Sequence, residues 1–183
     1  MIQPRLSSLD VRDGAGKLGV AASGTRWVAA GNVGVAVDSR MTGVDVRDGD
    51  GDVGAAINSK GDWVAAGNLG VAVNGRMTGL DVRDGDGNVA VDINPSGRWI
   101  AAGNLGVAVD GRMTGVDVRD GDGEVSVAIN ASGHWIAAGN LGVFVDGRQI
   151  GDVRDGDGGV QVSISDEGRW IAAGNLGVLS ASR

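Results

Sequence analysis

The sequence predicts an all-β fold, a closed five-bladed β-propeller whose blades are four-stranded antiparallel sheets. Its five tryptophans are separated by 36, 36, 36 and 35 residues. Each interval alternates apolar and polar residues over short stretches, which is the pattern of β-strands. Glycines interrupt these stretches too often for helices. Residues 1–183 are therefore expected to form a single domain of five repeats of about 36 residues.

A second marker, Val-Arg-Asp-Gly, keeps the same register as the tryptophans and begins at Val11, Val46, Val82, Val118 and Val153. Within one unit, residues 78–84 and 88–94 alternate, residues 98–103 form a short apolar run, and residues 107–110 alternate again. Turn-forming Gly, Asn, Asp and Pro residues separate these four segments. Each unit is thus predicted to contribute four short strands.

The chain ends favour a closed ring over its main rival, an open β-solenoid with two rungs per repeat. A solenoid needs atypical capping repeats, whereas both ends here resemble interior sequence. The chain opens with a strand pattern at residues 9–13 and closes after Val178 and Leu179, which normally precede that pattern. The N-terminal strand is therefore expected to complete the last blade and to remove exposed sheet edges.

The segment from Val89 to Asn104 reads V-A-V-D-I-N-P-S-G-R-W-I-A-A-G-N. It resembles the inner part of a WD40-type repeat, in which an apolar inner strand, a Pro-x-Gly turn and a second apolar strand follow one another. Residues 128–140 and 163–175 resemble it as well. The similarity covers about half of each unit, without the Gly-His and Trp-Asp signatures, and the unit is shorter than the ~40–45 residues of that family. The resemblance implies a binding platform closed by its N-terminal strand, and no enzyme activity.

Charge and composition exclude several classes of partner. The net charge is −7, carried mainly by recurring Asp-Gly segments, and both nucleic acid and anionic membranes require an excess of Lys and Arg. We therefore expect neither as a partner. Cysteine is absent, so no disulfide framework or thiolate metal site exists. Residues 1–8 contain no apolar segment typical of a signal peptide, which favours a soluble, cytoplasmic protein.

The tryptophans have two interpretations. One large aromatic side chain per unit, in a chain with one Phe and no Tyr, is expected to fill the space between neighbouring blades. The alternative is a multivalent carbohydrate-binding surface in which tryptophans stack on sugar rings and asparagines supply polar contacts. The residues of that alternative are Trp27, Trp63, Trp99, Trp135, Trp170, Asn32, Asn68, Asn104, Asn140 and Asn175.

The Asp-Gly-Asp-Gly segments raise the question of calcium. The candidate ligands are Asp48, Asp50, Asp52, Asp84, Asp86 and Asn88. Alternate oxygen-bearing side chains suit Ca²⁺, but the sixth position lacks the Gly of a calcium loop and the twelfth lacks a bidentate carboxylate. The sequence therefore predicts no cofactor, with calcium as the alternative.

Two further sets of polar residues are interpreted as surface features. Alternation places one arginine per unit opposite the valines, on a solvent-exposed face where ion pairs contribute little to stability. These arginines are Arg47, Arg83, Arg119 and Arg154. The single histidine, His134, occupies a turn position held by Arg98 or Arg169 elsewhere, and is expected to be an exposed residue rather than a catalytic base.

No catalytic constellation recurs or stands out in any unit, so we expect no enzyme. The leading hypothesis is a binding or scaffold module that presents a broad face to a protein partner. The glycan-binding propeller is the first alternative. The second is a designed, consensus or recently amplified propeller without an evolved ligand.

Overall fold

A computed structural model describes residues 9–11, 17–47, 51–83, 87–119, 123–154 and 158–181. Within these ranges the chain forms 19 strands and no helix, arranged as five separate antiparallel sheets. The first sheet comprises β1 (Gly19–Ser23), β2 (Arg26–Gly31), β3 (Gly34–Val37) and β4 (Arg40–Met41). The second comprises β5 (Gly54–Ile57), β6 (Trp63–Gly67), β7 (Gly70–Val73) and β8 (Arg76–Met77).

The remaining sheets repeat this plan. The third comprises β9 (Ala90–Ile93), β10 (Trp99–Gly103), β11 (Gly106–Val109) and β12 (Arg112–Met113). The fourth comprises β13 (Ser126–Ile129), β14 (Trp135–Gly139), β15 (Gly142–Val145) and β16 (Arg148–Gly151). The fifth has three strands, β17 (Gln161–Ile164), β18 (Trp170–Gly174) and β19 (Gly177–Ala181). The all-β, repeat-built architecture is confirmed, and within each sheet the strands follow chain order.

The outermost strand of each four-stranded sheet is not the one that the sequence predicts. Residues 80–83, expected as a strand, are an irregular connection, and the fourth strand of the third sheet is Arg112–Met113. A two-residue hairpin loop, Asp110-Gly111, leads into it with φ values of 47° and 85°. Two positive φ values define the tight turn that suits the twist of a hairpin, and Asp-Gly is its preferred sequence. The sequence prediction relied on alternation alone and did not use this dipeptide, which indicates the hairpin.

The recurrent Ala-Ala-Gly of the second strand follows from close packing. Ala101 and Ala102 are fully buried, one on each face of β10, because neighbouring sheets cover both sides. Gly103 ends the strand where the preceding connection crosses it, and a Cβ there would overlap the carbonyl oxygen of Val82. The same carbonyl accepts a hydrogen bond from Leu105 N at 3.0 Å. Small residues are thus required at these positions.

Neighbouring sheets pack mainly through their first two strands, so the five sheets fan out from a column of first strands. Four apolar clusters fill the four spaces between successive sheets. Each sheet pairs only its own strands, unlike a β-solenoid, whose rungs share continuous sheets. The described residues therefore form five separate sheets packed face to face rather than the shared sheets of a solenoid.

Closure of the ring by the N-terminal strand is not confirmed. Of residues 9–13, only 9–11 are described and none of these is in a strand. The carbonyl oxygen of Val11 accepts a hydrogen bond from Val33 N (3.2 Å) in the first sheet, just as Val82 does from Leu105. At the other end, Val178 is 63% exposed. The first and last sheets each leave one face open.

Candidate functional site

The tryptophans lie near the start of each second strand, and those of the second to fifth sheets point toward the preceding sheet. Trp63, Trp99 and Trp135 are only 5–8% exposed and each joins the apolar cluster between its own sheet and the one before. Trp27 and Trp170, in the two terminal sheets, are half-buried. The three central rings are core residues, as the packing interpretation expects, and offer no face to a sugar.

The asparagines of the glycan-binding alternative lie at the far ends of the same strands. Asn68 follows β6 whereas Trp63 begins it, so five residues of extended chain, ~16 Å, separate them. Asn32, Asn68, Asn104, Asn140 and Asn175 all occupy this position, in the loop that joins the second strand to the third. The structure therefore does not bring tryptophan and asparagine of one unit into a common sugar site.

The four arginines predicted to be solvent-exposed are instead fully buried, at 0–1% exposure. The prediction was wrong because it assumed a regular strand. In the connection, Asp117 accepts a hydrogen bond from the backbone N of Arg119 at 3.2 Å, and this local turn directs the arginine inward. Asp45, Asp81 and Asp152 make the same contact in the other units.

Three of the buried arginines, Arg83, Arg119 and Arg154, join two successive units. The guanidinium of Arg119 donates to the carbonyl oxygens of Asn88 (3.1 Å) in the preceding unit and of Gly123 (2.8 Å) in its own. Arg83 donates to the carbonyl oxygen of Asp52 at 2.6 Å, and Arg154 to that of Glu124 at 2.6 Å. We call this set the arginine clamp. It fixes the residues just before one first strand to the connection that leads into the next first strand.

The arginine clamp contacts the described residues of one acidic loop, Gly51 and Asp52. Asp48, Asp50, Asp84 and Asp86 lie outside the described residues. Asp52 forms an ion pair with Lys17 at 3.3 Å, and the guanidinium of Arg83 packs on the adjacent Gly51. In the described ranges, no three acidic or histidine side chains are grouped to hold a metal ion. A cation supplied by the chain itself, the guanidinium of Arg83, thus lies against Gly51 and Asp52.

A second connection between sheets was not predicted from the sequence. Asn58, Asn94 and Asn130, at the end of each first strand, are 2–4% exposed. Their Nδ2 atoms donate to the carbonyl oxygens of Asn94 (3.0 Å), Asn130 (2.8 Å) and Ser165 (2.9 Å), the equivalent residue of the next unit each time. Their Oδ1 atoms accept hydrogen bonds from backbone N–H groups of their own turn. We call this set the asparagine ladder. In the sequence it is visible only as three asparagines, Asn58, Asn94 and Asn130, that are each one repeat apart.

His134 is paired rather than free. Its Nδ1 lies 2.8 Å from a carboxylate oxygen of Asp146, the contact that Arg98 makes with Asp110 at 2.6 Å in the third unit. The other carboxylate oxygen of Asp146 accepts a hydrogen bond from Trp135 N. The pair borders a cleft of about 600 Å³ between the fourth and fifth sheets, which Trp170 also lines. His134 thus takes the place of an arginine in a pairing that recurs between units.

One row of apolar side chains is exposed at the same position in every unit. These side chains belong to the last loop residue before each third strand, and we call them the tip residues: Val33, Leu69, Leu105, Leu141 and Leu176. They are 39–59% exposed. Every tip is held rigidly, because its backbone N–H donates to the connection before its own sheet at 2.9–3.2 Å.

Methionines enlarge this row in three units. The terminal methyl of Met77 packs over Gly70, next to tip residue Leu69, at 3.3 Å from where a Cβ would lie. Met41 and Met113 take the same position, and the three are 39–43% exposed. Exposed aliphatic and thioether groups therefore recur at one loop position from unit to unit, and such groups are common at interaction sites.

No protein-family model matches the chain, and no curated protein matches it in sequence. The likeness to WD40 repeats therefore stays a resemblance, carried by half of each unit. No helix in the described ranges is long and apolar enough to cross a membrane.

Asp92 is the one carboxylate on the described first strands. Its carboxylate accepts hydrogen bonds from Ile93 N (2.8 Å) and, across the junction, from Ile129 N (2.9 Å). Burial raises its pKa above the ordinary value of 3.8, and the two backbone hydrogen bonds offset this only in part. Ala56 and Ala128 occupy its place in neighbouring units, so the carboxylate is not needed for the fold.

The raised pKa gives a pH-dependent contribution to stability. Because the folded protein holds the Asp92 proton more tightly than the unfolded chain, the free energy of unfolding falls as pH rises from 3.8 through the folded pKa. We expect Asp92→Asn to flatten this slope between acidic and neutral pH in urea titrations. Glu124→Gln, at an exposed carboxylate, is the control. An unchanged slope in Asp92→Asn would contradict the assignment.

Proposed function

We propose that this chain is a non-enzymatic binding module, built as a fan of propeller-like blades, that presents its row of tip residues to a protein partner. The observation that carries the proposal is the repeated exposure of an aliphatic side chain at all five loops. The backbone of each loop requires the glycine that follows the tip, since Gly34, Gly70, Gly106, Gly142 and Gly177 all have positive φ.

The row suits an extended apolar segment of a partner. Preformed tips cost little entropy on binding, because their backbones are already hydrogen-bonded. Arginines stand on the outer edge strand of four sheets, beside the methionines where these are present, at positions Arg40, Arg76, Arg112 and Arg148. They favour acidic residues flanking the apolar segment of the partner. Binding along several equivalent tips would add through effective concentration.

The test uses peptides selected from a displayed random library on the whole protein. We expect enriched peptides to combine spaced apolar residues with acidic ones, and to bind at micromolar affinity in fluorescence anisotropy. The triple variant Leu69→Ser, Leu105→Ser, Leu141→Ser should weaken binding at least about tenfold, or about 1.4 kcal/mol.

The matched control is Ile171→Ser, which removes an exposed apolar side chain near the start of β18, at the opposite end of that strand from tip residue Leu176. It should leave peptide affinity unchanged. The proposal is wrong if no peptide is enriched, or if selected peptides bind the triple variant as well as the wild type.

A further inference from the structure

We call the contact between two successive sheets a junction, and the four internal junctions share the same arrangement of side chains. At the third junction, Ile100 and Val107 of one sheet pack against Trp135 and Ala137 of the next. The equivalent residues meet at the first and second junctions. Each sheet therefore has two different faces. We call the face that carries the tryptophan the leading face and the opposite one the trailing face.

The two terminal sheets each leave one of these faces uncovered. On the trailing face of the fifth sheet, Ile171 is 46% and Val178 is 63% exposed. Their equivalents in the fourth sheet, Ile136 and Val143, are fully buried. The loss of cover is thus specific to the end of the stack and is not a property of the position.

The leading face of the first sheet is open in the complementary way. Val20 is 68% exposed, whereas its equivalent Val91 packs against Gly54 of the preceding sheet. Trp27 is half-buried and lines a depression of about 290 Å³ with Val20 and Ala29. The two open surfaces are the two halves of the junction that the chain forms four times internally.

We propose that the trailing face of one chain binds the leading face of a second copy, reproducing an internal junction between two molecules. The interface is head-to-tail, because the two faces differ. This interface lacks the hydrogen bond of the asparagine ladder, because the fifth sheet carries Ser165 at the position where the other units carry the asparagine. The contact is therefore weaker than an internal junction, also because two molecules must lose translational freedom. It forms reversibly and depends on protein concentration.

Two single substitutions and their mixture test the head-to-tail geometry. Val178→Lys blocks the trailing face and Val20→Lys the leading face; both sites are more than half exposed, so the folded monomer tolerates the lysine. Mass is measured by sedimentation at moderate salt, which screens the repulsion between chains of net charge −7. Circular dichroism verifies that each variant is folded.

We expect the mass of the wild type to rise with concentration above the 18.3 kDa of one chain. Each variant alone stays monomeric. The mixture forms a species of two chains and no larger one, since the Val20→Lys chain keeps a trailing face and the Val178→Lys chain a leading face. Ile150→Lys, at a 48% exposed site on the edge strand β16 of the fourth sheet, associates like the wild type.

Three results would overturn the proposal. A wild type that is monomeric at every concentration shows that the faces do not associate, or that they meet within one chain. Association of either single variant shows a face-to-same-face contact. A mixture that stays monomeric excludes the head-to-tail junction directly.

Discussion

Replacing Arg119 by alanine is expected to lower the free energy of unfolding by about 3–5 kcal/mol. The substitution empties a fully buried volume, which alone costs a few kcal/mol. It also removes the donor for the carbonyl oxygens of Asn88 and Gly123, and each buried acceptor left without a partner costs about 1–3 kcal/mol. Urea unfolding followed by tryptophan fluorescence measures the loss.

Arg112→Ala provides the control in the same unit. Arg112 lies on the exposed edge strand β12, so its loss should change stability by no more than about 0.5 kcal/mol. Arg119→Lys separates charge from shape, since an ammonium cannot donate in two fixed directions, and it should recover only part of the stability. A loss below about 1 kcal/mol in Arg119→Ala would mean that the arginine clamp is not a principal contact between units.

The second large effect is expected from Asn94→Asp, with a loss of about 2–4 kcal/mol at neutral pH. The carboxylate keeps the acceptor for the N–H groups of Ser96 and Arg98. It replaces the amide that donates to Asn130 at 2.8 Å with a negative oxygen facing a carbonyl oxygen. The substitution therefore removes the link between sheets while leaving the turn intact.

Acid should reverse the defect in part. A protonated carboxyl at position 94 can donate again, so the difference from the wild type should shrink as pH falls. Asn88→Asp is the matched control, because equivalent positions already carry Asp52 and Glu124. Equal losses at both sites would show that added negative charge, and not the asparagine ladder, accounts for the effect.

The sequence predicts the repeat, the all-β class and three of the four strands of a unit, because period-2 alternation and turn residues are local signals. The outer strand at Arg112–Met113 was missed since two residues are too short for any period. The buried arginines were misplaced for a related reason. An alternation rule assigns faces only within a regular strand, and the aspartate-directed turn before Arg119 breaks that regularity.

The candidate site was even less accessible to sequence reasoning. The tip residues share a repeat position, but exposure of a leucine depends on which elements surround it. The asparagine ladder is a contact between units, and no pattern inside one unit reveals it. Closure of the ring depends on the rotation from each sheet to the next, a geometric quantity set by many contacts at once.

The arginine clamp and the asparagine ladder run in opposite directions along the chain, arginine toward the preceding unit and asparagine toward the following one. Every interior unit consequently carries both halves of a junction. An in-frame duplication or deletion of one interior unit joins the same halves together and needs no compensating substitution. Such an array can change its length by whole units under mutation. A deletion that removes part of a unit instead leaves one hydrogen-bond donor and one acceptor without a partner. The number of units is therefore a quantity that gene duplication can alter freely.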